Sequence, residues 1–289
     1  MKNKLLPLSL ILVFSYLIMS CGKEEEKPLP LETKKETQVD TTRKEPKTIS
    51  YTSLTLKGAS LLRKLLDSFS YNQLLIIQKI NRLDLAHFRQ GYVLMVPSDF
   101  ADSASLSPYP LSISSLDGIP KILFVNRRIQ AFGAYENGKL VRWGATSTGK
   151  QKTPTPPGLY FTNWKKELAH STVNNEWDLP WNFNIANFDG ISLHQFDLPG
   201  YPASHSCVRL LKEDAMWFFT WGDEWVLSKN GSRIEKYGTP VIVFDEYDHT
   251  LKKPLWKTLD SSPIAANTDQ HQLDSIFNVH KDEIAKKAR

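Results

Sequence analysis

Between the runs "IQAFGAY" and "LVRWGATSTG" stand Glu136, Asn137, Gly138 and Lys139. A two-residue connection between strands requires positive φ at both central positions, and Asn-Gly meets that requirement at the least steric cost. The pair commits its flanks to an antiparallel hairpin. "KILFVN" before it, and "GLYFTNW", "GISLHQ" and "GTPVIVF" after it, are further short aliphatic and aromatic runs with glycine at several of their boundaries. Closely spaced strands of this kind predict a mainly β fold, an antiparallel sandwich or barrel, over residues 121–245.

One helix interrupts the strands. "EDAMWFFTW" opens with Glu213 and Asp214, suited to a helix N-terminus, and stops at Gly222; its Trp217, Phe218 and Trp221 are predicted to pack against the sheet. Upstream, Leu61, Leu62, Leu65 and Leu66 recur at helical spacing, Leu74, Leu75, Ile77 and Ile80 predict a second helix, and Gly91 introduces the strand "YVLMVP". Residues 51–98 therefore read as a small α+β module. The serine- and proline-rich segment 99–120 reads as a linker or wrapping segment, and residues 246–289 as a C-terminal extension.

The N-terminus sets the compartment. Lys2 and Lys4 precede an apolar run from Leu5 to Met19. That run is shorter than the roughly 20 residues a spanning helix needs, so residues 1–20 are expected to be a signal peptide. Ile18, Met19, Ser20, Cys21 and Gly22 resemble a bacterial lipobox, which makes Cys21 the expected lipidation site. Residues 22–50 hold seven Lys/Arg against seven Asp/Glu and no aromatic residue, the composition of a disordered tether. The expected location is the cell envelope, as a membrane-anchored lipoprotein of the outer membrane facing the periplasm. With the tether neutral, the net charge of +5 leaves only +3 beyond the leader. So small and scattered an excess excludes nucleic acid as the expected partner.

If Cys21 is acylated, Cys207 is the only remaining thiol and no internal disulfide can form. A free thiol titrates near about 8.5, so a nucleophilic one needs a base and positive charge beside it. His194 and His205 can supply the first, and Arg209 the second. Three rival readings attach to the cluster: a packing cysteine, a zinc site built with Asp197, and a serine nucleophile at Ser204 or Ser206. Zinc lacks enough ligands here, and the serines lack a G-x-S-x-G elbow. No metal or other cofactor is expected.

"SHSCVRL", Ser204 to Leu210, with His194 upstream, resembles the signature of the L,D-transpeptidase (YkuD-like) family. "KILFVNRRIQAFGAYENGKLVRWGATSTGKQKTPTPPGLY" resembles the family's opening hairpins, its Ser-Thr-Gly-Lys turn and its Thr-Pro loop, and "GTPVIVF" its closing strand. The resemblance implies a YkuD-like antiparallel β-sandwich with a helix after the catalytic cysteine. It also implies acyl transfer on peptidoglycan stem peptides: a thioester on Cys207, 3-3 cross-links as product, and acylation by a carbapenem. His194 is then the general base, and the backbone amides around Ser206 and Cys207 stabilise the oxyanion. Ser204, His205 and Arg209 serve the loop or the substrate. Two positions depart from the family pattern: Ser206 stands where glycine is usual before the cysteine, and Gln195 follows His194 in place of glycine. Water as acceptor would make the same site a carboxypeptidase, and an envelope protein's amine would make it an anchoring enzyme. A wall-binding lipoprotein with a decayed site is the non-enzymatic alternative. Residues 51–98, with "INRL" before "RQGYVLMVP", resemble a degenerate LysM module, a glycan-binding fold.

Overall fold

The computed structural model describes residues 49–171, 177–258 and 266–287. The expected leader, Cys21 and nearly all of the expected tether lie outside the described residues. Strands β1 (Tyr51–Thr55) and β2 (Val93–Pro97) pair antiparallel, with Tyr51 opposite Pro97, and between them in the chain come α1 (Ala59–Ser68) and α2 (Tyr71–Asn81). Helix α2 starts where Ser70 and Gln73 cap each other, each side chain accepting from the other's backbone N–H. Leu56, Leu65, Ile77, Leu83, Phe88 and Leu94 form a small core inside this strand–helix–helix–strand unit.

Then follow β3 (Ile122–Asn126), β4 (Ala131–Glu136), β5 (Lys139–Ser147), β6 (Gly158–Phe161), β7 (Lys165–His170), β8 (Asp178–Ala186), β9 (Ile191–Gln195) and β10 (Val208–Leu210). After α3 (Lys212–Trp221) come the short pair β11 (Val226–Leu227) and β12 (Ile234–Lys236), then β13 (Pro240–Phe244) and α4 (Gln270–Lys287). One nine-stranded sheet runs β6-β13-β3-β4-β5-β10-β9-β8-β7. The predicted hairpin is present: Glu136 faces Lys139, with Asn137 at φ 44° and Gly138 at φ 76°.

The sheet departs from a purely antiparallel one at two pairs, β13 with β3 and β10 with β9. A two-residue turn forces antiparallel pairing, whereas parallel neighbours need a return connection of about a dozen residues or more. Residues 196–207 are that return for β9 and β10. The stretch "FDLPGYPASHSC" therefore runs back across the sheet end, and this places its residues at the site described below.

Side-chain alternation builds two apolar layers. Leu123 and Val125 of β3 point into the same cluster as Phe183, Ile185, Leu193, Val208 and Val243, so the two halves of the curled sheet face each other as a sandwich. Ile122 and Phe124 point the other way. They are covered by Tyr109, Ile113 and Leu116 from the segment before the sheet, and by Leu273, Phe277 and Ile284 of α4. Helix α3 sends Ala215 and Phe218 into the interior, while Trp217 and Trp221 stack on each other at 4.9 Å and stay half-buried against it.

The strand–helix–helix–strand unit is joined to the sheet by buried polar ties. Asp214 of α3 is fully buried between Lys79 of α2 at 2.9 Å and Arg142 of β5 at 2.7 Å. Buried Arg82 donates to the Ile129 carbonyl at 3.0 Å and lies over the Trp256 ring. The Trp256 indole in turn donates to the Asn81 carbonyl.

Candidate active site

Strand register assembles the site. On β10 and β9, Val208 lies opposite Leu193 and Arg209 opposite His194. Val208 and Leu193 belong to the interior cluster, so their alternates Cys207, Arg209, Ser192 and His194 share the outer face. On β8, Phe183 faces Leu193 and Asn184 faces Ser192, and Phe183 again points inward. The outer face therefore carries two rows across three strands, Cys207-Ser192-Asn184 and Arg209-His194-Asn182. Both rows line a groove of about 370 Å³, with Trp164, Trp177, Phe196 and His205 along its walls.

Cys207 is partly exposed in this groove. Its sulfur lies 3.7 Å from the Ser192 hydroxyl, and its S–H donates to the Gly190 carbonyl at 3.6 Å. His194 is only 3% exposed. Burial drives its pKa down to about 4; the Arg209 charge lowers it further, while the hydrogen bond to Gln195 opposes the fall. The neutral ring donates Nδ1–H to the Gln195 carbonyl at 2.9 Å. That tautomer leaves the lone pair on Nε2, free to accept a proton.

His205 is placed differently. Lys150 donates to its Nε2 at 2.8 Å, which puts the ring proton on Nδ1 and occupies the lone pair. Its pKa is lowered by burial first, then by the charges of Lys150 and Arg209. Trp177 packs on the ring at 5.0 Å. The Arg209 guanidinium stacks on Phe196 at 4.4 Å and donates to the Asp197 carbonyl at 3.3 Å.

The turn that presents the thiol is held by the segment after β5. Backbone bonds run from Ser204 N–H to the Thr148 carbonyl and from Lys150 N–H to the Ser204 carbonyl. Fully buried Thr155 accepts from Gly149 N–H at 2.9 Å and donates to the Ser206 carbonyl at 2.8 Å. A Cβ at Gly149 would stand 2.2 Å from the Thr153 carbonyl oxygen, so this close approach requires glycine. The Ser204 hydroxyl donates to the Cys207 carbonyl and so ties the loop together. Ser206 takes φ 86°, the conformation for which glycine is the usual residue.

Of the residues singled out from sequence, Cys207, His194, His205, Arg209 and Ser204 line one groove, whereas Ser206 lies in the turn that precedes the thiol and Cys21 lies outside the described residues. The sequence reading passed over others that the geometry adds. Ser192 was within reach of it, because it lies two residues before His194 on the same strand and so shares its face. Lys150 and Thr155 belonged to recognised turns, but only the folded contacts reveal their roles. Asn182 and Asn184 carried no signal beyond alternation with Phe183 and Ile185. Among the described residues no group of three or more His, Cys, Asp or Glu is placed to hold a metal.

One groove is thus lined by a partly exposed thiol and a neutral imidazole, the two groups that nucleophilic catalysis by cysteine requires. Residues 120–243 match the model of the YkuD family, L,D-transpeptidase catalytic domain. Solved structures similar to the chain include three L,D-transpeptidases. That from Stackebrandtia nassauensis is 24% identical over 45% of this chain and 58% of its own, with TM-score 0.37. That from Mycobacterium smegmatis is 18% identical over 44% and 59%, with TM-score 0.35. A fragment from Xylanimonas cellulosilytica is 23% identical over 69% of this chain and 100% of its own, with TM-score 0.42. The chain thus spans less than two thirds of the first two relatives. No curated protein matches it.

Proposed function

We propose that the protein is a peptidoglycan L,D-transpeptidase that forms 3-3 cross-links through a thioester on Cys207. The carrying observation is that Cys207 lines the same groove as a buried, neutral His194 whose Nδ1 is tied to Gln195. His194 Nε2 takes the thiol proton as the sulfur attacks the carbonyl of the third residue of a tetrapeptide stem. The backbone N–H groups of Ser206 and Cys207 receive the oxyanion. The C–N bond to the terminal D-alanine breaks, and the imidazolium returns its proton to the leaving amine. An amine of a second stem then attacks the thioester carbonyl, the C–S bond breaks, and the thiolate recovers its proton. Ser206 at φ 86° supports an intact turn over a decayed one, because the serine has adopted the conformation a glycine would supply.

The same proposal places the domain in the envelope, tethered through acylated Cys21, with residues 51–98 as a LysM-like module beside it. Incubating the purified protein with a disaccharide tetrapeptide tests the activity. The expected products are free D-alanine and a dimer cross-linked between the third residues, both absent for Cys207→Ala. Hydrolysis to tripeptide without dimer would make the enzyme a carboxypeptidase, and no reaction would return the non-catalytic lipoprotein.

A further inference from the structure

Asn182 is 1% exposed, lines the groove, and neither its amide nitrogen nor its amide oxygen has a hydrogen-bond partner. Its neighbour on the same face, Asn184, differs: its amide oxygen accepts from Asn163 at 2.8 Å. Buried side-chain amides are nearly always bonded, so an Asn left with both functions buried and unpaired in the wall of a groove is placed for something that enters it. The register shows where. One step beyond the Phe183–Leu193 pair, Asn182 comes opposite His194, on the side of the base away from Cys207.

We propose that the Asn182 carboxamide binds the backbone of a peptide that carries the acceptor amine, and so selects peptide amines over water in the second half-reaction. The proposal rests on the transpeptidase reading of the site. A carboxamide offers one acceptor and two donors side by side. In an extended chain a residue's own N–H and C=O point to the same side, as in the hydrogen-bonded pairs of an antiparallel ladder, so one Asn engages both. Adjacent strands lie about 4.8 Å apart and an extended residue advances about 3.3 Å, so Asn182 reaches the residue one or two places from an amine poised at His194. The donor's scissile carbonyl sits over Cys207, two strands away. In the step concerned, the amine nitrogen bonds to the thioester carbonyl, the C–S bond breaks, and the ammonium proton passes to His194 and then to the thiolate. Water has no backbone for Asn182 to hold.

The test follows both half-reactions in the full chain with a disaccharide tetrapeptide as donor and acceptor. Asn182→Ala is expected to form the acyl-enzyme, read by intact mass, within about twofold of the wild-type rate, while the ratio of cross-linked dimer to hydrolysed tripeptide falls about tenfold, as expected for a lost substrate hydrogen bond. Asn182→Asp, which keeps the shape and the acceptor but loses the donors, should fall between. The melting temperature should not drop, since no bond within the protein is removed. An unchanged dimer-to-tripeptide ratio in both variants overturns the proposal, as does a lower melting temperature with acylation and transfer reduced in equal measure. Failure of the wild type to acylate at all overturns the transpeptidase reading itself.

Discussion

Ser206 and His194 hold unusual states for physical reasons that can be tested one residue at a time. A non-glycine residue at φ 86° costs roughly 1–3 kcal/mol, and glycine adds back about 0.5–1 kcal/mol of unfolded-chain freedom. Ser206→Gly is therefore expected to stabilise the protein by up to about 2.5 kcal/mol in urea unfolding; a loss of stability would mean that the hydroxyl is needed by the turn. For His194 the folded pKa of about 4 lies below the ordinary value, so between the two the unfolded chain binds a proton that the folded protein does not. Stability is then fully present above about pH 6.5 and is lost as pH falls toward 4, by about 3 kcal/mol for this group. His194→Ala should flatten that part of the stability profile relative to the wild type. An equal loss in both proteins between pH 6.5 and 4 would contradict the assignment.

At the scale of elements, the return loop from β9 to β10 rests on the turn after α2. Asp84 accepts from Leu198 N–H at 2.7 Å and from His87 N–H at 3.0 Å, and its own N–H bonds the Leu198 carbonyl. Asp84→Ala should cost about 1–3 kcal/mol, since it strands the Leu198 amide. Hydrogen exchange should quicken at Leu198 and its neighbours while β3 and β4 keep their protection. Loss spread evenly over the sheet would show that the bond does not act on the loop in particular. Legibility varied between elements for reasons of the same kind. The Asn137-Gly138 hairpin and the strands around it were readable because turn chemistry and apolar runs agree. Strands β7 and β8 were not, because "KKELAH" is largely charged and "DLPWNFNIA" carries a proline and two groove-facing asparagines in place of core residues. Parallel pairing of β10 was hidden because it depends on a return loop rather than a turn. In α4, Leu273, Phe277 and Ile284 are a thin stripe on an otherwise polar helix, and only the sheet face they cover explains it.

For the whole molecule, the motifs around Cys207 were legible because His194, Ser204, His205, Cys207 and Arg209 all fall within one short stretch of the chain. The supporting contacts were not, since Lys150, Thr155 and Asn182 come from distant stretches that only the fold brings together. The proposed anchor belongs to this scale too. Each buried CH₂ of an acyl chain contributes about 0.8 kcal/mol, so two or more chains on Cys21 should hold the protein on membranes. Cys21→Ser should shift the protein from the detergent phase to the aqueous phase and abolish lipid labelling; retention of both would exclude lipidation at this position.

The central claim is that Cys207 is activated by His194 and not by His205, whose Nε2 already accepts a hydrogen bond from Lys150. Single-turnover acylation by a carbapenem, followed by intact mass across pH, tests it most directly. The wild type is expected to gain one adduct, with a rate that persists in acid until the imidazole protonates near the pKa of about 4. Cys207→Ala should gain none, His194→Ala should lose nearly all of the rate, and His205→Ala should remain slower but measurable. A dead His205→Ala beside a His194→Ala variant with a normal pH profile would contradict the account.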